Sequence, residues 1–244
     1  MTPQIGLQLY TLREECARDL PATLRTVADL GYDGVELFDL HGYEAAGLRS
    51  LLDGLGLVVA GRHIGFDIDV DALVVEQRVL GCDRVALAWI DPVTTSAERD
   101  AAAARITALG QRAREAGLEF GFHNHWTETT RFEDGRMLLD LLPDWIWLEL
   151  DLGWAWWAGT SPVDLLDWAH GRSPLVHTKD LRLRGTREFV PVGDGGVGYE
   201  VVVPRAAALG VEWLIVEQDE LDRPAADALA RSLATVRAAL QVAV

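Results

Sequence analysis

The sequence predicts an α/β fold, a single (β/α)8 TIM barrel over residues 1–244. Three observations carry this. Short apolar runs alternate with amphipathic helical stretches eight times along the chain. A glycine precedes a strand repeatedly, at Gly31, Gly56, Gly81, Gly117 and Gly210, as helix C-caps feeding strands do. Three apolar runs stop on an ionisable residue: Ile146–Asp151, Leu175–His177 and Trp213–Glu217. A charge at the end of a buried strand is costly unless it is paired or binds a metal, so three such stops imply a shared polar site.

The elements follow in order. Ile5–Tyr10 is strand one, and the Leu20, Leu24, Val27, Leu30 face predicts a helix over Leu20–Leu30. Gly34–Phe38 is strand two, Leu48–Leu55 a helix, and Leu57–His63 strand three. Val70–Leu80 is a helix, Arg84–Ile90 strand four, and Ser96–Ala116 a long alanine-rich helix. Glu119–His123 is strand five, Gly135–Leu142 a short helix, and Ile146–Asp151 strand six. Ser161 and Pro162 open a helix to His170, as a cap and a first-turn proline. Leu175–Thr178 is strand seven, Val201–Leu209 a helix, Trp213–Glu217 strand eight, and Ala225–Leu240 the last helix. Alternation of this kind means parallel strands, and eight units close a barrel. Asp180–Tyr199 reads as a long irregular loop whose glycines form a flexible cover over the site.

Composition narrows the function classes. The chain has 244 residues and a net charge of −16, so it repels phosphate backbones and nucleic acid is not an expected partner. No apolar run reaches the roughly eighteen residues of a membrane span, and the start lacks a basic leader, so a soluble cytoplasmic protein is expected. Cys16 and Cys82 form no metal or redox motif and read as free thiols.

In such barrels the active site lies at the C-terminal strand ends. The polar residues there are Glu36, His63, His123, Asn124, His125, Glu128, Glu149, Asp151, His177, Lys179, Asp180, Glu217 and Asp219. Side chains alternate along a strand, so Glu149 and Asp151 share a face, as do His177 and Lys179, and Glu217 and Asp219. Asp, His and Glu supply the oxygen and nitrogen donors a divalent metal takes. The competing reading is structural ion pairing, and for Lys179 that reading is a lysine held among carboxylates. The site's aromatic neighbours include Trp154, placed for a sugar face, while Trp156 and Trp157 suit core and interface.

Six pieces carry a resemblance: Gly31–Glu36, Gly121–His125 with Glu128, Leu148–Asp151, Val176–Asp180, Pro191–Gly195 and Ile215–Asp219. In that order they resemble the xylose isomerase-like barrel superfamily of sugar phosphate isomerases and epimerases, over almost the whole chain. The resemblance implies one divalent metal, foremost manganese, with magnesium, cobalt and zinc also tolerated. It implies ligation by Asp151, His177 and Glu217. At the strand-five position the family's glutamate is replaced by His123-Asn124-His125. His123 is the best-aligned fourth ligand, with Glu128 and His125 as rivals. The resemblance makes Glu217 a catalytic group, and His123 and Lys179 are the further catalytic candidates; Glu36 and His63, from their place at the expected rim, are candidate contacts to a small carbohydrate with His125, Glu128 and Trp154. The expected activity is isomerisation or epimerisation by proton transfer next to a carbonyl. The histidine-rich strand-five end also resembles inosose dehydratases, so a dehydratase or β-eliminating lyase on a keto-inositol or keto-glycoside is the alternative. A non-catalytic sugar-binding barrel is the third reading. The resemblance also makes a homodimer or homotetramer an expectation.

Overall fold

The eight apolar runs become eight parallel strands in a computed structural model, which describes residues 2–242. They are β1 (Gln4–Gln8), β2 (Gly34–Leu37), β3 (Val58–Ile64), β4 (Arg84–Leu87), β5 (Glu119–His123), β6 (Trp147–Asp151), β7 (Leu175–Thr178) and β10 (Trp213–Val216). The sheet closes in the order β1-β10-β7-β6-β5-β4-β3-β2. Two further strands, β8 (Asp180–Leu181) and β9 (Phe189–Val190), form an antiparallel hairpin outside it.

Helices pack around this barrel. They are α1 (Arg13–Leu30), α2 (Ala45–Leu55), α3 (Val70–Leu80), α4 (Ser96–Glu115), α5 (Leu152–Trp157), α6 (Pro162–Trp168), α7 (Tyr199–Ala208) and α8 (Ala225–Val242). The first runs longer than the apolar spacing predicts, because it is two segments. Asp19 is extended at φ −158°, and its carboxylate accepts from the Ala22 amide at 3.0 Å, restarting the helix before Pro21. Gly31, Gly56 and Gly81 cap α1, α2 and α3 in the left-handed region, at φ 96°, 71° and 75°.

The chain departs from the expected scheme between β5 and β6. The predicted helix over 135–142 is one 3-10 turn, Leu138–Leu141. Pro143 follows at once, and the preceding Asp134 turn is pinned by Arg99, whose guanidinium donates to both Asp134 oxygens at 2.7 and 2.9 Å. The residues between β5 and this turn are free to cross the top of the barrel, where they carry His125 and Trp126 to the site. A second departure is α5, an extra helix that begins where β6 ends.

The barrel interior is layered. At the N-terminal end the indoles of Trp147 and Trp213 fill the bore with Ala60, Leu175 and Ile215. Glycines on neighbouring strands make room for them. A Cβ on Gly121 would lie 2.3 Å from the Trp147 ring, and one on Gly34 would lie 2.9 Å from Trp213 and 2.3 Å from the Val58 carbonyl. Above this apolar plug the lining turns polar.

Candidate active site

The middle layer holds Glu36, His63, Glu149 and His177. Glu36 is fully buried and comes from β2, opposite Gly61 of β3. A Cβ at Gly61 would approach the Glu36 Oε1 to 3.0 Å, so the glycine leaves space for the carboxylate. Glu36 Oε2 accepts from Gln8 at 2.8 Å and from His177 Nε2 at 2.6 Å. The other ring nitrogen of His177, Nδ1, donates to Glu217 at 2.8 Å. Both nitrogens thus face carboxylates, the arrangement of an imidazolium. Burial alone would lower the His177 pKa, but Glu149, Glu217 and Glu36 together raise it well above the ordinary value. Burial would likewise raise Glu36, yet His63 and His177 hold it at about 2. His63 Nε2 bonds Glu149 at 2.6 Å. Burial and the Glu36 charge push Glu149 up to about 7.

The upper layer holds His123, Asp151, Lys179, Glu217 and Asp219. Asp151 ends β6 and caps α5: its Oδ1 accepts from the Trp154 amide at 2.8 Å. Its Oδ2 points inward, in ion-pair range of Lys179 Nζ at 2.9 Å but not aligned for a hydrogen bond. Lys179 also reaches Glu217 at 2.9 Å and Asp219 at 2.8 Å, while only 1% exposed. Burial opposes its charge, but Asp151, Asp219 and Glu217 raise its pKa well above the ordinary value. Burial similarly opposes the Glu217 charge, and Lys179 and His177 hold that carboxyl well below its usual range. Asn124 fastens this floor: its side chain accepts from the Asp151 amide at 3.1 Å and donates to the Asp151 carbonyl at 3.3 Å.

The backbone beneath Lys179 is as tight as its side chain. A Cβ on Gly153 would stand 2.3 Å from the Lys179 carbonyl oxygen. Gly153→Ala is therefore expected to displace Lys179 and destabilise the protein by about 1–3 kcal/mol, as overpacking does. Urea unfolding checks this, and an unchanged midpoint would show that β7 yields without cost.

These residues can hold a metal ion. His123, Asp151, His177 and Glu217 each offer one donor atom, all within 4.8 Å of one another and all buried. The inward Asp151 Oδ2 and the unbonded His123 Nδ1 are polar atoms with no hydrogen-bond partner among the described residues. Carboxylate oxygen and imidazole nitrogen suit a divalent cation, so the donor set fits. Burial, followed by the His177 and His63 charges, drives His123 well below the ordinary pKa, leaving a neutral ring with a free lone pair. A deeper set, His63, His123, Glu149 and His177, meets the same distance test. It shares two imidazoles with the first, and Glu149 is already bonded to His63.

A cleft of about 420 Å³ opens over the floor. His63, His123, His125, Lys179, Glu217 and Asp219 line its depth, and Tyr10, Trp89, Trp126, Trp154 and Phe189 its walls. The sequence-predicted His63, His125 and Trp154 thus reach the cleft. Burial and the Lys179 charge lower His125 to about 3, so it is a neutral imidazole.

Three expectations need correction. Glu36 does not sit at the rim to meet substrate; it lies beneath His177 and orients that ring. Glu128 is absent from the cleft lining and is 1% exposed, with its carboxylate accepting from the His125 amide at 3.1 Å. It shapes the loop after β5 and is neither substrate contact nor part of the four-donor set. The glycine stretch is not a cover over the cleft. Asp180 gathers it, accepting from the amides of Gly193 at 2.9 Å, Gly195 at 3.0 Å and Val197 at 3.2 Å. Close backbone approach explains the glycine there: a Cβ on Gly195 would meet the Asp180 carboxylate at 2.2 Å. The part of this segment that does reach the cleft is the β8–β9 hairpin, through Arg187 and Phe189.

Burial pushes Glu128 up to about 7. Its folded pKa therefore exceeds the unfolded value of about 4.3, and the stability it contributes is full below that value and lost as pH rises through 7. Glu128→Gln should remove this loss, worth up to about 4 kcal/mol at about 1.4 kcal/mol per unit. Urea unfolding of both proteins at pH 5 and pH 8 reads it. Identical pH dependence in the two would assign the loss to another group.

Sequence reasoning missed one signal. Of the 22 Lys and Arg residues only Lys179 is lysine; the other 21 are arginine. A chain that uses arginine everywhere else and a lysine here marks a site needing a compact ammonium in place of a planar fork.

A conserved-domain comparison now decides the family: the xylose isomerase-like TIM barrel pattern matches residues 24–239. The chain belongs to the xylose isomerase-like TIM barrel family. Within it, the chain is 27% identical to the rhizopine catabolism protein MocC of Rhizobium meliloti, over 82% of this chain and 75% of that protein. It is 27% identical to an inosose dehydratase of Bacillus cereus (strain AH820), over 63% of this chain and 59% of the other. The chain thus spans between 59% and 75% of the length of these two curated relatives. The crystal structure of a sugar phosphate isomerase/epimerase from Parabacteroides distasonis superposes with a TM-score of 0.78 at 18% identity, covering 98% of this chain and 96% of that one. That likeness shows the shared barrel fold. No helix among the described residues is long and apolar enough to cross a membrane.

Proposed function

We propose that this family member is a divalent-metal-dependent lyase that dehydrates a small keto-polyol of the keto-inositol class. The observation that carries the reading is the buried four-donor cluster of His123, Asp151, His177 and Glu217 at the floor of an aromatic-walled cleft. The relative at 27% identity named as an inosose dehydratase favours a cyclic polyol.

A cation held by these residues would supply Lewis-acid polarisation of a substrate carbonyl. The remaining chemistry belongs to side chains. Glu217 is a carboxylate at the cleft floor, kept ionised by Lys179 and His177, and takes the proton from the carbon next to the carbonyl. The electron pair of that C–H bond forms the new double bond. The β-hydroxyl leaves as water after receiving a proton from a neighbouring donor, for which Lys179 is placed in the cleft. At the end of β5 the cleft presents neutral His123 and His125 and no carboxylate, so a second carboxylate base is missing on that side.

The second reading is isomerisation or epimerisation, which shares the first proton transfer and ends with its return to carbon. It rests on the same Glu217 carboxylate at the cleft floor. Incubation with a keto-inositol and manganese in deuterium oxide separates the two. An ultraviolet-absorbing enone with loss of water supports the lyase. Deuterium on carbon without loss of water supports the isomerase, and neither product rejects both. Elemental analysis supplies the metal readout: about one equivalent per chain, lost in His177→Ala, is expected of this site.

A further inference from the structure

The walls of the cleft differ from its floor. The floor is carboxylate, imidazole and ammonium. The walls carry large aromatic side chains from the segments that follow β1, β4 and β5, from α5 and from the hairpin: Tyr10, Trp89, Trp126, Trp154 and Phe189. Trp89, Trp126, Trp154 and Phe189 form a continuous surface on one side, and Tyr10 stands apart from it, edge-on to Phe38 at 5.4 Å. Trp154 and Trp126 have ring centroids 5.0 Å apart, and Trp126 and Trp89 6.2 Å apart. Trp89 also meets His125 edge-on at 4.7 Å, so the surface runs from the reactive floor to the rim.

At the rim these side chains are open to water. Trp89 is 49% exposed and Tyr10 42% exposed. Leaving such large apolar faces in water is unfavourable, and exposed apolar surface continuous with a polar pocket marks a binding groove. Trp154 beside Lys179 is buried among Trp126, Phe189 and Arg187, so the open aromatic faces of the cleft are those of Trp89 and Tyr10. Arg187 adds a cation over the Trp126 ring at 4.8 Å, stacked in the manner that prefers planar π surfaces.

We propose that the substrate of this site is a carbohydrate or cyclitol carrying a planar aromatic substituent, held by Tyr10, Trp89 and Trp126 while the polyol meets the floor. The inference deepens the keto-polyol reading above and rests on its placement of the polyol. It divides the ligand in two: hydroxyls and carbonyl toward Lys179, Glu217 and the imidazoles, and a flat apolar ring toward the mouth. Stacking between such rings adds affinity beyond area burial.

The test compares binding of phenyl β-D-glucopyranoside and methyl β-D-glucopyranoside by isothermal titration calorimetry, using manganese-loaded full-length protein. The phenyl glycoside is expected to bind about tenfold more tightly. Trp89→Ala should reduce that preference to about twofold, and Tyr10→Ala together with Trp89→Ala should remove it, with methyl glycoside affinity changed less than about twofold. Both side chains are exposed, so the variants are expected to fold, and thermal melts confirm that. Equal affinity for the two glycosides, no binding of either, or a preference intact in the double variant each overturns the proposal. A Trp89→Ala protein that loses an oligomeric state with unchanged selectivity assigns the wall to subunit contact and also overturns it. Carbon-proton exchange on keto-sugars is a separate readout. Aryl preference without metal-dependent exchange rejects the lyase reading alone, and exchange without aryl preference rejects this inference alone.

Discussion

Glu217→Gln is expected to lower turnover by at least about a thousandfold while the fold survives. The reason lies in the two cations that hold this side chain. Glu217 Oε2 stands 2.8 Å from His177 Nδ1 and 2.9 Å from Lys179 Nζ. A glutamine keeps the volume and offers an amide oxygen to the same partners, so packing is preserved. It removes the base and one of the anionic donors of the metal set at once. The variant should therefore show an unchanged circular dichroism spectrum, weakened manganese binding and no deuterium incorporation into a keto-inositol. Activity within tenfold of wild type would reject Glu217 as the proton-transfer group and direct attention to His125.

Lys179→Met should have the largest effect on stability. The ammonium is the shared partner of Asp151, Glu217 and Asp219, in surroundings closed to water. Removing one member of a buried charge set leaves the others uncompensated, and such changes cost about 3–5 kcal/mol. The loss should be greatest in the presence of EDTA. Manganese should restore part of it, because a divalent cation neutralises Asp151 and Glu217 directly. Urea unfolding with and without manganese reads both effects. A variant as stable as wild type in EDTA would show that the carboxylates protonate without penalty. Lys179→Arg is not a mild control, since the planar fork cannot place one nitrogen among three carboxylates inside a packed barrel.

The site was legible in the sequence to different depths. Asp151, His177 and Glu217 could be read because each ends an apolar run, and a strand end on a polar residue is a local pattern. His123 followed from its place at the end of β5. Glu36 and Glu128 could not be placed from the sequence. Both lie near strand ends, like the true cleft residues, but whether such a side chain points to substrate or beneath it depends on its neighbours across the sheet. Gly61 opposite Glu36 and the His125 amide beside Glu128 settle those cases. The hairpin after β7 escaped notice because its two-residue strands are too short to show alternation. Its role in lining the cleft depends on Asp180, whose carboxylate gathers amides thirteen to seventeen residues onward.

What the sequence by itself determined is the barrel: eight apolar runs of strand length, glycine-capped helices between them, and an order of polar strand ends that a closed parallel sheet must bring to one face. Periodicity and capping are short-range properties, and they survive in the one-dimensional string. Only the tertiary structure decided how the charges share that face. The pairing of His177 with both Glu36 and Glu217, the seating of the one lysine among three carboxylates, and the aromatic wall from Trp89 through Trp126 and Trp154 to Phe189 all join residues distant in the chain. Their energies depend on separations of a few ångströms and on exclusion of water, which closure of the barrel fixes and no local pattern records.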